Sequence, residues 1–173
     1  YFQFTLNPYG EKLENNLPSI DKRIDIFKRL SDKIGKEKVI WRYDPILTNE
    51  EYDVSFHKEA FAQIAYGLKD HTEKCMLGFI EHIRTAVGQF NIQPLRKEEI
   101  EEIAVSFRNT INEYPAIQLD TCTSKVDLRH LGIPAGLCID KELIERITGY
   151  PLLAKKDKNQ RNVCNCIESI DIG

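Results

Sequence analysis

Four short apolar runs, each followed by an amphipathic helical pattern, divide this chain into repeating units. The runs are Tyr1 to Leu6, Val39 to Tyr43, Cys75 to Ile80 and Ala116 to Leu119. Each is rich in aromatic or branched residues and bounded by turn or charge signals, as buried strands are. Between the first two, Ile20, Ile24, Phe27, Leu30 and Ile34 recur at steps of three and four, with Ser19 placed as an N-cap and Gly35 as a left-handed stop. A second helix follows Asp53 and gathers Phe56, Ala60, Phe61, Ile64, Ala65 and Leu68 on one face. A third carries Ile100, Ile103, Phe107, Ile111 and Tyr114 behind an acidic first turn that suits the helix dipole. A last, shorter helix is capped by Asp140, packs Leu143, Ile144 and Ile147, and stops at Gly149 before Pro151.

Strand, helix and strand joined by right-handed crossovers make parallel neighbours. Runs that recur every roughly 35 to 40 residues match one βα unit. The expected fold class is therefore α/β, with parallel (βα) repeats forming a partial TIM-type barrel. Half a barrel would leave strand edges at Tyr1 to Leu6 and Ala116 to Leu119 unpaired, a state that closure, covering or association normally prevents. Residues 1–173 read as a single domain that is a segment of a larger barrel, with missing barrel segments or self-association as expected partners. A chain that starts inside a strand looks like a fragment or a trimmed product. Residues 151–173 form a polar, cysteine-containing tail.

The net charge of -3 gives no global reason to bind nucleic acid or an anionic membrane. No apolar run approaches the roughly 20 residues of a spanning helix. Lys155, Lys156, Lys158 and Arg161 crowd the tail without interleaved aromatics, which leaves nucleic-acid binding unsupported. A small molecule is the expected partner and the cytoplasm the default compartment. Five cysteines are too few and too oddly numbered for a disulfide scaffold, so reduced or metal-bound thiols fit better.

Parallel βα proteins collect their chemistry where the strands end. Here the strand exits deliver Asn7, Pro8 and Tyr9, then Arg42, Asp44 and Pro45, then Glu81, His82 and Arg84, then Asp120 and Cys122. Arg42 and Asp44 stand two apart in an extended segment, so both side chains can face the same way. One reading is an ion pair that ties strands together. The other is an anion clamp, in which Arg42 fixes a carboxylate or phosphate while Asp44 orients the ligand. Glu81 could join Asp44 and Asp120 in an acid and base set, which would suit a metal-free hydrolase or lyase. His82 reads as a filler or a ligand, whereas His57 and His71 lie away from the expected rim.

Cys75 opens the third run at the opposite end and reads as a small apolar residue. Cys122, Cys138, Cys164 and Cys166 fall on loops, the usual material for zinc or an iron–sulfur cluster, although a bare Cys-x-Cys spacing also suits unrelated thiols. The neighbouring cations of the tail would lower thiol pKa values and offset the charge of a thiolate-ligated centre.

The strand exit FQFTLNPYG, the block VIWRYDPIL, the segment GLCIDKELIERITG and the tail KKDKNQRNVCNC followed by ESIDIG resemble a bacterial family, domain of unknown function eighteen-forty-eight. The resemblance spans nearly the whole chain, which would match the family's middle part. It implies a radical-SAM-like barrel protein in which further βα units precede this region. It also implies that a Cys-x3-Cys-x2-Cys cluster follows SIDIG and holds a 4Fe–4S cluster for S-adenosylmethionine cleavage. Residue by residue it touches Asn7, Arg42, Asp44, Pro45, Cys122, Cys138, Cys164 and Cys166. The expected function is a metal-dependent, iron–sulfur enzyme or a fragment of one. Cys122, Cys138, Cys164 and Cys166 would be the metal ligands, and Asn7, Arg42, Asp44 and Asp120 would bind substrate or cofactor. The alternative is a zinc-binding or metal-free binding or regulatory module.

Overall fold

The computed structural model describes residues 1–80, 90–122, 127–158 and 164–168. Four strands, β1 (Phe2–Thr5), β2 (Val39–Ile46), β3 (Lys74–Phe79) and β4 (Gln118–Thr121), form one sheet in the order β1-β2-β3-β4. Every pairing is parallel. Helices α1 (Ile20–Ile34), α2 (Val54–Leu68), α3 (Lys97–Asn112) and α4 (Lys141–Thr148) join them, with short 3-10 turns at Lys36–Lys38 and Arg129–Leu131. The sequential order of neighbours is what short βα crossovers produce. The α/β expectation with parallel repeats holds. A barrel is not shown: among the described residues the four strands form an open sheet.

The pleat divides the sheet into two chemically distinct faces. Val39, Trp41 and Tyr43 of β2, Cys75 and Leu77 of β3 and Leu119 of β4 meet Phe27 of α1, Phe61 and Ile64 of α2, and Phe107 of α3 in one core. Phe61 stacks on Phe107 with centroids 3.7 Å apart and on Trp41 at 4.9 Å, so three rings clamp two helices to the central strand. The Trp41 indole donates to Leu6 O at 3.0 Å, which satisfies its polar edge inside this apolar layer. Cys75 is completely buried here, and burial pushes its thiol pKa well up, in keeping with a packing role.

Caps match the sequence in two helices and depart from it in a third. Asp53 accepts from Phe56 N at 2.8 Å and Asp140 from Leu143 N at 3.1 Å. Ser19 sits at the α1 boundary without a side-chain cap bond, and Gly35 turns there at φ 98°. Helix α3 starts instead with Glu99 folding back to accept from Arg96 N at 2.8 Å.

The second face is covered by α4, whose Leu143 packs with Ile40 and Met76, with Tyr1, Cys122 and Ile147 against them. A parallel sheet needs apolar cover on both faces, and the same chain supplies it here. At the end of β4, beyond the Ala116 to Leu119 run, a short segment adds to the sheet. Thr121 forms a parallel bridge with Ala135, Thr121 N donates to Pro134 O at 2.9 Å, and Gly136 N donates to Thr121 O at 2.8 Å. Among the described residues β1 has no strand on its outer side. No described helix is long and apolar enough to cross a membrane.

Candidate functional site

Register places the site. Thr5, Arg42, Met76 and Asp120 align across the four strands in one row on the second face. One step towards the carboxyl ends, Asp44 lies over Gly78, where a Cβ would collide with its carboxylate. The β4 ladder runs on through Cys122, whose N–H donates to Leu77 O at 2.7 Å.

Arg42 and Asp44 face the same way and form an ion pair, each about three quarters shielded. Arg42 also donates to Gln3 Oε1 at 3.1 Å. Burial opposes its charge, but Asp44 and the neighbouring Cys138 and Cys122 outweigh that cost and hold the Arg42 pKa above its ordinary value. Among the described residues the buried Nε of Arg42 has no hydrogen-bond partner. The guanidinium as a whole interacts electrostatically with Cys138 and Cys122.

Asn7 is buried and bridges two strand exits. Its Oδ1 accepts from Asp44 N at 3.0 Å, and its Nδ2 donates to Asp44 O at 3.0 Å and to Glu14 Oε1 at 3.1 Å. Glu14 in turn accepts from Arg23 at 2.7 Å, forming a shielded pair behind the β1 exit. Asp120 is 2 % exposed. It accepts from Gln118 Nε2 at 2.8 Å and pairs with Lys74 at 2.8 Å, while Lys74 also reaches Asp140 at 3.6 Å. This is a bracing arrangement within the second face. His57 is fully buried on the helix side between Tyr43 OH at 2.8 Å and Leu47 O at 2.7 Å, away from the site, and His71 pairs with Asp32 at 3.4 Å. Glu81, His82, Arg84 and Arg161 lie outside the described residues.

The loop cysteines gather on this same face. Cys122 Sγ and Cys138 Sγ are 3.3 Å apart. The Cys138 pKa is raised by the hydrogen bond with Cys122 and by burial, while Arg42 pulls it down. Cys166 interacts electrostatically with Cys138, accepts from Ile139 N at 3.4 Å and contacts Cys164. Burial pushes the Cys166 thiol up. The tail reaches this position because Asp157 N donates to Cys166 O at 3.0 Å and Ile167 N to Ile139 O at 3.2 Å. The thiols thus run in series, Cys122 to Cys138 to Cys166 to Cys164. Among the described residues no group of three or more His, Cys, Asp or Glu side chains stands ready-made around a metal position.

Two contributors were not singled out in the sequence. Tyr1 OH donates to Cys138 O at 2.6 Å and accepts from Asp140 N at 2.9 Å, and the Gln3 amide donates to the same carbonyl. Together they tie the Cys138 loop to β1. Gln3 had a signal: it is the polar residue between Phe2 and Phe4, which places it on the face opposite them.

Fold and site together define an α/β protein of parallel βα units with a thiol-rich second face. The family model described as Domain of unknown function (DUF1848) matches residues 1–173, and the chain belongs to that family. No curated protein and no solved structure shows a match.

Proposed function

We propose that this face is the ligand wall of a metal-dependent enzyme, in which Cys122, Cys138, Cys164 and Cys166 hold an iron–sulfur cluster and Arg42 with Asp44 positions an anionic small molecule. The observation that carries the reading is the meeting of four cysteines from the exit of β4, the loop before α4 and the tail beside the largely shielded Arg42 guanidinium. Soft thiolates suit iron–sulfur clusters, and a fixed positive charge offsets theirs. The donor set fits by its chemistry, although the sulfurs must rearrange from a series into a ring around the group. The Arg42 guanidinium, whose side chain is 25 % exposed, would serve a carboxylate or phosphate oxygen. Asn7 would act through Asp44, whose peptide it holds, and Asp120 through its brace with Lys74.

A bound cluster would supply electron transfer. The four cysteines lack the Cys-x3-Cys-x2-Cys spacing, so no radical step or S-adenosylmethionine cleavage is assigned to them. The open β1 edge offers room for a further strand of the polypeptide or for a second copy.

Anaerobic reconstitution with iron and sulfide tests the proposal. Brown protein with broad visible absorption, bleached by serine at any of the four positions, supports it; colourless protein contradicts it.

One distance favours zinc as the second reading. Two thiolates on a tetrahedral zinc ion with Zn–S of about 2.3 Å stand about 3.8 Å apart. The 3.3 Å between Cys122 and Cys138 is near that value. In a 4Fe–4S cluster each cysteine takes a separate iron, which spreads the sulfurs further. Stoichiometric zinc without visible absorption would select this reading.

A further inference from the structure

We propose that Cys122 and Cys138 are a thiol–disulfide exchange site that closes into an internal disulfide when it meets a small-molecule disulfide. Their sulfurs, 3.3 Å apart, must approach by about 1.3 Å to reach a bonded separation of about 2.05 Å. The backbone already brings the two segments side by side, since Thr121, next to Cys122, bonds Pro134 and Gly136, the latter two residues before Cys138. The other end of the loop is anchored, because Tyr1 and Gln3 both donate to the Cys138 carbonyl. The pair therefore meets without a long search by the chain.

Access is built in on one side. An open groove of about 430 Å³ is lined by Tyr1, Gln3, Cys138, Ile139 and Ile144. Cys138 lines it and Cys122 does not, so Cys138 is the entering thiol and Cys122 the resolving one. Cys138 as thiolate attacks one sulfur of the small disulfide, forming a mixed disulfide and releasing one small thiolate. Cys122 as thiolate then attacks the Cys138 sulfur, forming the internal disulfide and releasing the second. The protein loses two electrons and the small disulfide gains them. The two thiol protons end on the two released thiols.

The bond would join the end of β4 to a loop already held on β1, making a covalent strap across the second face. It would also remove two soft donors from that face. The disulfide is independent of the metal proposal, because it needs only the Cys122–Cys138 contact and the groove.

Oxidised glutathione added to the full chain in the presence of a chelator tests it. The expected result is an intact mass lower by two hydrogens, with the Cys122–Cys138 cross-linked peptide exceeding any other pair by roughly tenfold. Cys122→Ser should keep one glutathione on Cys138, and the wild-type mapping needs no variant to fold. A dominant Cys164–Cys166 cross-link, or stable glutathione adducts on wild-type Cys138, would overturn the inference. Failure of the protein to bind iron or zinc would leave the cross-link result unchanged, which separates the two ideas.

Discussion

A Cβ added at Gly136 would lie 2.7 Å from Asp120 Cβ, from Asp120 Oδ2 and from Met76 Cε, closer than packed atoms stand. The backbone there presses on the second face with no room to spare. Gly136→Ala should cost about 1–3 kcal/mol by overpacking, read as a lower denaturant midpoint. Asn7 carries a comparable burden through hydrogen bonds. Asn7→Ala strands the Asp44 N–H and C=O together with one oxygen of Glu14, and should cost about 3 kcal/mol in the same measurement. An unchanged midpoint would show that water takes over these bonds. Arg42 and Asp44 were legible because the two-residue period of a strand puts alternate residues on one face. Asn7, Gly78 and Gly136 were not. Their work is done across strands at contacts that no local pattern encodes, so the hold of Asn7 on the Asp44 peptide could not be read from the sequence.

Helix α4 was legible as a helix, with Asp140 and Gly149 at its ends, but its placement was not. An amphipathic stripe announces an apolar partner without saying which face of the sheet supplies it. The physical reason for its position is that Ile40 and Met76 leave an apolar surface opposite the core helices, which α4 covers. Asp140→Ala removes the cap to Leu143 and the contact with Lys74. A loss of about 1 kcal/mol is expected, together with faster labelling of Cys138 and Cys166 by a thiol reagent as the cover loosens. Helix α2 carries a pH effect. Burial lowers the His57 pKa in the folded protein below its ordinary value. The unfolded chain therefore binds the proton more readily, so stability contributed by neutral His57 is present above about pH 6.5 and lost as pH falls below it. Urea midpoints at about pH 7.5 and pH 5.5 should differ less in His57→Gln than in the wild type, even though the variant is weaker at both. Equal pH slopes would assign the acid loss to carboxylates elsewhere.

At the scale of the whole molecule, the sheet explains why residues far apart in sequence share one face. Parallel strands deliver every carboxyl end to the same side, so the strand exits are legible in the sequence although the distances between them are not. Closure could not be read in the same way, because four βα units are compatible with an open sheet or with part of a barrel. The end of β4 at Thr121 is met by the Pro134 to Gly136 segment, a pairing made by a stretch too short to show strand periodicity. The described sulfurs outside the core lie together on the second face, while Cys75 lies in the helix-side core. This separation sets the central test: metal content per chain after anaerobic reconstitution, measured for the wild type, for serine at Cys122, Cys138, Cys164 and Cys166 in turn, and for Cys75→Ala. Bound metal is expected in the wild type and in Cys75→Ala, with its loss in all four serine variants. Metal-free wild type, or four variants that keep their metal, would contradict this expectation.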